Sequence, residues 1–140
     1  MSETVSVDAK TLGYSLFGLR ITVFLVMIMW TIDKFLNPGH AGAVFGHFYK
    51  IPGIEASTFT IIATVQAIIV VAFLLGVFKR WSILAVLLMH AVSTLTPMAN
   101  YFDPFKNPNL LFFAAWPMLA GLVALYMLRD HDTFMSLNKP

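Results

Sequence analysis

Apolar residues in this chain gather into four long runs, at 13–36, 59–78, 81–98 and 110–128, with short polar stretches between them. A helix needs about 20 apolar residues to cross a bilayer, within a range of roughly 17–25. Each run therefore predicts a spanning helix, the third being the shortest. None alternates apolar and polar positions as a lipid-facing barrel strand does. The first run is too long for the apolar part of a cleaved signal peptide, and no small-x-small site follows it. The pattern predicts an all-α fold: an integral membrane four-helix bundle in a single domain spanning 1–140.

The connections refine this picture. Phe78-Lys79-Arg80-Trp81 is barely a loop, so the second and third helices form a tight antiparallel hairpin. The long linker at 37–58 is punctuated by Pro38-Gly39, Gly42, Gly46 and Pro52-Gly53, all turn-forming. Its middle, 41–51, is apolar enough for a short interfacial or re-entrant helix in the first outer loop. Asp103-Pro104 and Asn107-Pro108 make 98–109 a turn-rich loop. The ends, 1–11 and 130–140, read as short polar tails.

Composition supports the membrane reading. Of 140 residues, 59% are hydrophobic and only 11% charged, against about 25% charged in a typical soluble domain. The net charge of +2 is scattered, with no basic cluster larger than Lys79-Arg80, which argues against nucleic acid as a partner. The partners implied are the lipid bilayer and, beyond it, other membrane subunits or further copies of the chain. Cysteine is absent, so disulfides, thiol relays and iron–sulfur clusters are excluded. With the N-terminus inside, Lys10, Lys79, Arg80, Arg129 and Lys139 fall on the cytoplasmic side and Lys34, Lys50 and Lys106 outside. Positive residues favour the cytoplasm, so both termini are expected there.

Polar groups within a span are costly and often functional. Gln66 and His90 sit near the middle of the two hairpin helices, at similar depth. Gln66 shares a face with Ala63, Val70 and Phe73. His90 shares one with Val86, Ser93, Thr94 and Pro97, a stripe that Thr96, Asn100 and Tyr101 continue outward. Two readings fit: an interhelical hydrogen bond that glues the bundle, or a ligand site built from Gln66, His90, Ser93 and Thr94. Imidazole and amide both offer donors and acceptors, which suits the carbonyls of a quinone. Arg20 lies inside the first span and reads as a side chain snorkelling to the inner interface. Asp33 cannot neutralise it, since thirteen residues at about 1.5 Å each put them roughly 20 Å apart. Asp33 and Lys34, beside Trp30, read as an interface anchor or as a charged rim around an outward-facing cavity. His40 and His47 form no compact ligand motif, so a metal is disfavoured and the pair reads as headgroup-facing. Haem is disfavoured too, because His90 alone lies at membrane depth. Trp116-Pro117 predicts a kink in the fourth helix, and Ala114, Ala115, Ala120, Gly121 and Ala124 keep parts of it slim enough for close packing.

Leu19-Arg20 opening the first span, Asp33-Lys34-Phe35-Leu36 closing it, and Phe73-Leu74-Leu75-Gly76-Val77-Phe78-Lys79-Arg80 resemble the DoxX-like family of small four-helix bacterial membrane proteins. The resemblance covers roughly 16–128. It departs from the family at Gln66, where members often carry a glutamate. It implies a multi-pass protein of the bacterial inner membrane with a redox-linked accessory or quinone-interacting role. It names no catalytic residue. The alternative is a structural subunit of a larger membrane complex. A small transporter ranks third, because no acidic residue lies in the interior of a span.

Overall fold

The structure, a computed structural model, describes residues 2–137. It is helical, with no strand among the described residues. Helix α1 (Ala9–Leu36) starts at Asp8, whose carboxylate accepts the Thr11 N–H at 3.0 Å and the Thr11 hydroxyl at 3.1 Å. This is an N-cap, and these bonds hold the Asp8 carboxyl below its ordinary value. Helix α2 (Pro38–His47) begins with proline at its first position, where the missing N–H has no helical partner to lose. It is the short helix expected in the long linker, starting three residues early. Helix α3 (Ala56–Leu75) ends on Gly76 in the left-handed conformation. Val77 N–H bonds back to Ala72 O at 3.0 Å, the Schellman closure that a glycine allows. Helix α4 (Lys79–Leu95) follows at once, completing the expected hairpin. The one-turn α5 (Met98–Tyr101) and a 3₁₀ segment (Asn109–Ala114) lead into α6 (Ala115–Met127).

Among the described residues, three segments are long and apolar enough to cross a membrane: Ala9–Leu36, Ala56–Leu75 and Asn109–Met127. Helix α4, at 17 residues, is shorter and packs between α3 and α6. The helices close a ring in which α1 lies on α3, α3 on α4, α4 on α6 and α6 on α1, with α2 laid across α1 and α3. Leu25, Ile61, Ile68 and Leu88 face outward. Such an apolar perimeter is what lipid rather than water accommodates.

The bundle has two unlike halves. One half is a dry core of Leu16, Val23, Met27, Val70, Phe73, Ile83, Val86, Leu122 and Leu125. Close approach of α1 and α6 there depends on Gly121, where a Cβ would come within 3.1 Å of Leu19. The other half, toward Asp33 and Tyr101, holds a cavity.

Two expectations change. The kink at Pro117 is replaced by a change of winding. The segment before it runs as 3₁₀ helix to Ala114, and Pro117 falls in the first turn of α6, where backbone N–H groups lack helical partners anyway. The carboxyl end is not a polar tail. A 3₁₀ turn (Arg129–His131) turns the chain back under the bundle, and Asp132 and Ser136 are buried. Lys139, counted above for the cytoplasmic side, lies outside the described residues.

Candidate functional site

Arg20 is fully buried rather than snorkelling, because the returning segment surrounds it. Its Nε lies 3.2 Å from Asp132 Oδ2, with both side chains inaccessible. Nη1 donates to Leu74 O and, at 3.0 Å, to Met135 O, while Nη2 donates to Phe134 O. The Lys79 ammonium donates to Asp132 O. Leu74 closes α3, so its carbonyl is one of the end groups a helix cannot satisfy itself. Leu75 O takes the Leu137 N–H at 2.9 Å. Phe134 sits edge-on to Tyr14 and Phe17, with ring centroids 4.8 and 5.2 Å away. One guanidinium thus ties α1, the end of α3 and the carboxyl segment together. Breaking a buried pair by removing one partner costs about 3–5 kcal/mol, so this cluster reads as a structural closure of that end.

The opposite half contains a cavity of about 640 Å³, within the roughly 300–1,000 Å³ of small-molecule sites. Helices α1, α2, α3 and α4 and the 3₁₀–α6 segment all contribute to its wall. Both Gln66 and His90 line it, as their shared depth predicted, and so does Ser93. They make no direct hydrogen bond to each other. Thr94 is not part of the lining; it is buried behind the wall, donating to His90 O at 2.8 Å and accepting at its carbonyl the Tyr101 hydroxyl at 2.7 Å. Asp33 and Lys34 line the cavity with His40. Asp33 Oδ2 lies 2.6 Å from His40 Nδ1, and Asn37 Nδ2 donates to Asp33 Oδ1 at 3.1 Å. Of the two readings for Asp33-Lys34, the rim of a cavity matches this placement. No group of three or more His, Asp or Glu residues close enough to hold a metal occurs among the described residues.

His90 is the best-defined polar group in the wall. It is 1% exposed and stacks on Trp30, with ring centroids 6.1 Å apart and planes 24° from parallel. Nε2 lies 2.9 Å from Ala115 O. A carbonyl only accepts, so Nε2 carries the proton. Nδ1 is then a buried acceptor without a hydrogen-bond partner among the described residues. Gln66 is also buried, and its amide has no side-chain hydrogen bond among the described residues. Around these two groups the wall is apolar and aromatic: Trp30, Phe45, Phe48, Tyr49, Tyr101 and Phe112.

Sequence reasoning missed Tyr49, whose hydroxyl lies 3.0 Å from Ser93 Oγ, because nothing in an irregular linker says where it folds. It also missed Asp132. One signal was present: an arginine in a span demands a counter-charge, and Asp132 lies just beyond the carboxyl end of the last helix. Comparison with family models, curated proteins and solved structures finds no match.

Proposed function

We propose that this protein spans the membrane four times, with α4 as the fourth span, and binds a flat, lipophilic molecule of quinone size in the cavity beside His90. The observation that carries the proposal is a mostly apolar cavity bordered by His90, whose Nδ1 is buried without a hydrogen-bond partner among the described residues, and by Gln66, whose amide makes no side-chain hydrogen bond there. Buried polar groups are ordinarily hydrogen-bonded, and leaving one unpaired costs about 1–3 kcal/mol. A bound ring supplies the missing partners and stacks among the aromatic residues. A membrane-soluble ligand needs no aqueous entry. The role is redox-linked or accessory, in line with the DoxX-like resemblance. Its motif residues Arg20, Asp33, Lys34 and Lys79 support that assignment by occupying the closure and the cavity rim. We place the chain in the bacterial inner membrane with both termini cytoplasmic, so the cavity end faces outward.

One observation favours the structural alternative: the His90–Ala115 bond joins α4 to α6 and on its own glues the bundle. The readings differ in what replacement of His90 does. As glue alone, His90→Leu changes stability by about 0.6–2 kcal/mol and leaves bound lipid unchanged. As a ligand site, His90→Leu and Gln66→Leu each lower the quinone-type lipid that co-purifies, by about fivefold for one lost hydrogen bond. The measurement is extraction and quantification of that lipid at matched folded protein. Equal, near-zero amounts in wild type and both variants would reject the ligand site.

A further inference from the structure

The polar side chains of the cavity wall are unevenly matched. Its tyrosine hydroxyls are engaged, Tyr49 with Ser93 Oγ at 3.0 Å and Tyr101 with Thr94 O at 2.7 Å. Asp33 is the one acidic residue in the wall among the described residues. Both its oxygens are occupied, Oδ2 by His40 Nδ1 at 2.6 Å and Oδ1 by Asn37 Nδ2 at 3.1 Å. Lys34 is the one lysine or arginine there, and it forms no ion pair among the described residues. An ammonium carries three N–H donors. The Lys34 ammonium has a single contact, to Trp30 O at 3.5 Å, longer than a well-formed hydrogen bond. The Trp30 indole and the Gln66 amide belong to the same wall, and their N–H groups make no hydrogen bond among the described residues. The wall therefore holds a surplus of donors, one of them a full positive charge with no carboxylate left to meet it.

We infer that the cavity prefers an acidic ligand, a lipophilic ring compound bearing an ionised oxygen (an enolate or a carboxylate) that pairs with Lys34. This rests on the cavity reading above and adds the sign of the ligand's charge. Lys34 lies four residues beyond Trp30 on α1, about 6 Å along the axis, so its charge stands one turn outward of the aromatic wall. The side chain is half-buried. Away from bulk water the attraction between opposite charges is stronger, and hydrogen bonds between ionised partners are the strong ones. A neutral ring oxygen gains only an ordinary hydrogen bond from the same ammonium. The phosphate of a lipid headgroup carries the same charge, but it has no ring to place against Trp30, Phe45 and Phe48, which line the cavity beside Lys34.

The test uses the full-length protein in phosphatidylcholine nanodiscs and two probes that share one ring. One is an alkyl hydroxynaphthoquinone whose hydroxyl, on the quinone ring, is ionised at neutral pH. The other is its methyl ether, which cannot ionise. Saturable quenching of tryptophan fluorescence, corrected for partition into protein-free discs, gives both affinities. The acid is expected to bind about tenfold tighter than the ether. Lys34→Gln should bring the two together, and Lys34→Arg should preserve the gap. Should a variant fail to fold, absorbance of the wild-type complex decides. The bound acid should keep the spectrum of its anion at a pH where the same probe in empty discs is protonated, and a protonated bound probe would overturn the inference. Replacing half of the lipid with phosphatidylglycerol separates the two sources of negative charge. A gap that survives places the anion on the ring, whereas a gap that closes assigns Lys34 to a headgroup and overturns the inference. Equal affinity for acid and ether in phosphatidylcholine also overturns it and leaves the cavity reading standing. Binding of neither probe overturns both.

Discussion

At the scale of single residues, Arg20 and His90 illustrate two fates of a polar group in an apolar bundle. Arg20 is satisfied almost completely: one carboxylate at 3.2 Å and three backbone carbonyls. Asp132→Asn leaves that guanidinium without its counter-charge and should lower stability by about 3–5 kcal/mol. Arg20→Met combined with Asp132→Leu removes both charges and should recover much of the loss. Unfolding of the single and double variants in mild detergent measures the coupling, and additive effects would mean that the pair is not linked. His90 keeps one nitrogen without a hydrogen-bond partner among the described residues, the feature on which the proposed ligand site rests. Gln66 and His90 both border the cavity, as expected of two helices joined by a tight turn, which hold equal heights at equal depth. Thr94 of the same stripe lies outside the lining. A stripe at helical spacing is about a third of a turn wide, and Ser93 and Thr94 lie on opposite sides of the boundary between cavity and core.

At the scale of elements, the helix ends carry the design. Gly76 ends α3 at φ +68°, and a Cβ there would collide with the Ser136 side chain. Gly76→Ala therefore costs about 1–2 kcal/mol for the left-handed backbone alone, and more from displacing the carboxyl segment. A melting temperature unchanged by this substitution would contradict the close approach. Removing residues 132–137 exposes Arg20 together with the carbonyls of Leu74 and Leu75, so the shortened chain should aggregate on extraction, as followed by gel filtration. Helix positions were legible to within about four residues, because periodicity and length fix a spanning helix tightly. The return of the carboxyl segment was not. Its polar residues match those of a solvated tail, and only the position of Arg20, adjacent in space but 112 residues earlier in sequence, gives Asp132 a buried role. Pro117 was misread for a related reason: a proline reads as a kink only if the helix before it is α, and here it is 3₁₀.

At the scale of the molecule, the fold separates closure from cavity. The half toward Lys79 is packed and tied shut by the carboxyl segment, while the half toward Asp33 is hollow. The proposed topology sets the hollow half outward. The absence of native cysteine allows a clean test with single cysteines at Ser2, Ser57 and Asp130, which are all exposed, and an impermeant thiol reagent on intact cells. Labelling at 57 alone is expected; labelling at 2 and 130 but not at 57 would reverse the orientation. The most direct test of the central claim, that the cavity beside His90 holds a lipophilic ring, uses Trp30 as its reporter. Trp30 lines the cavity and stacks on His90. With Trp81→Phe and Trp116→Phe removing the other two tryptophans, fluorescence in nanodiscs is titrated with an alkyl benzoquinone as quencher. A saturable quench that is lost when the cavity-filling Val44→Phe is added is the expected result, and a linear, collisional quench identical in both proteins would contradict the account.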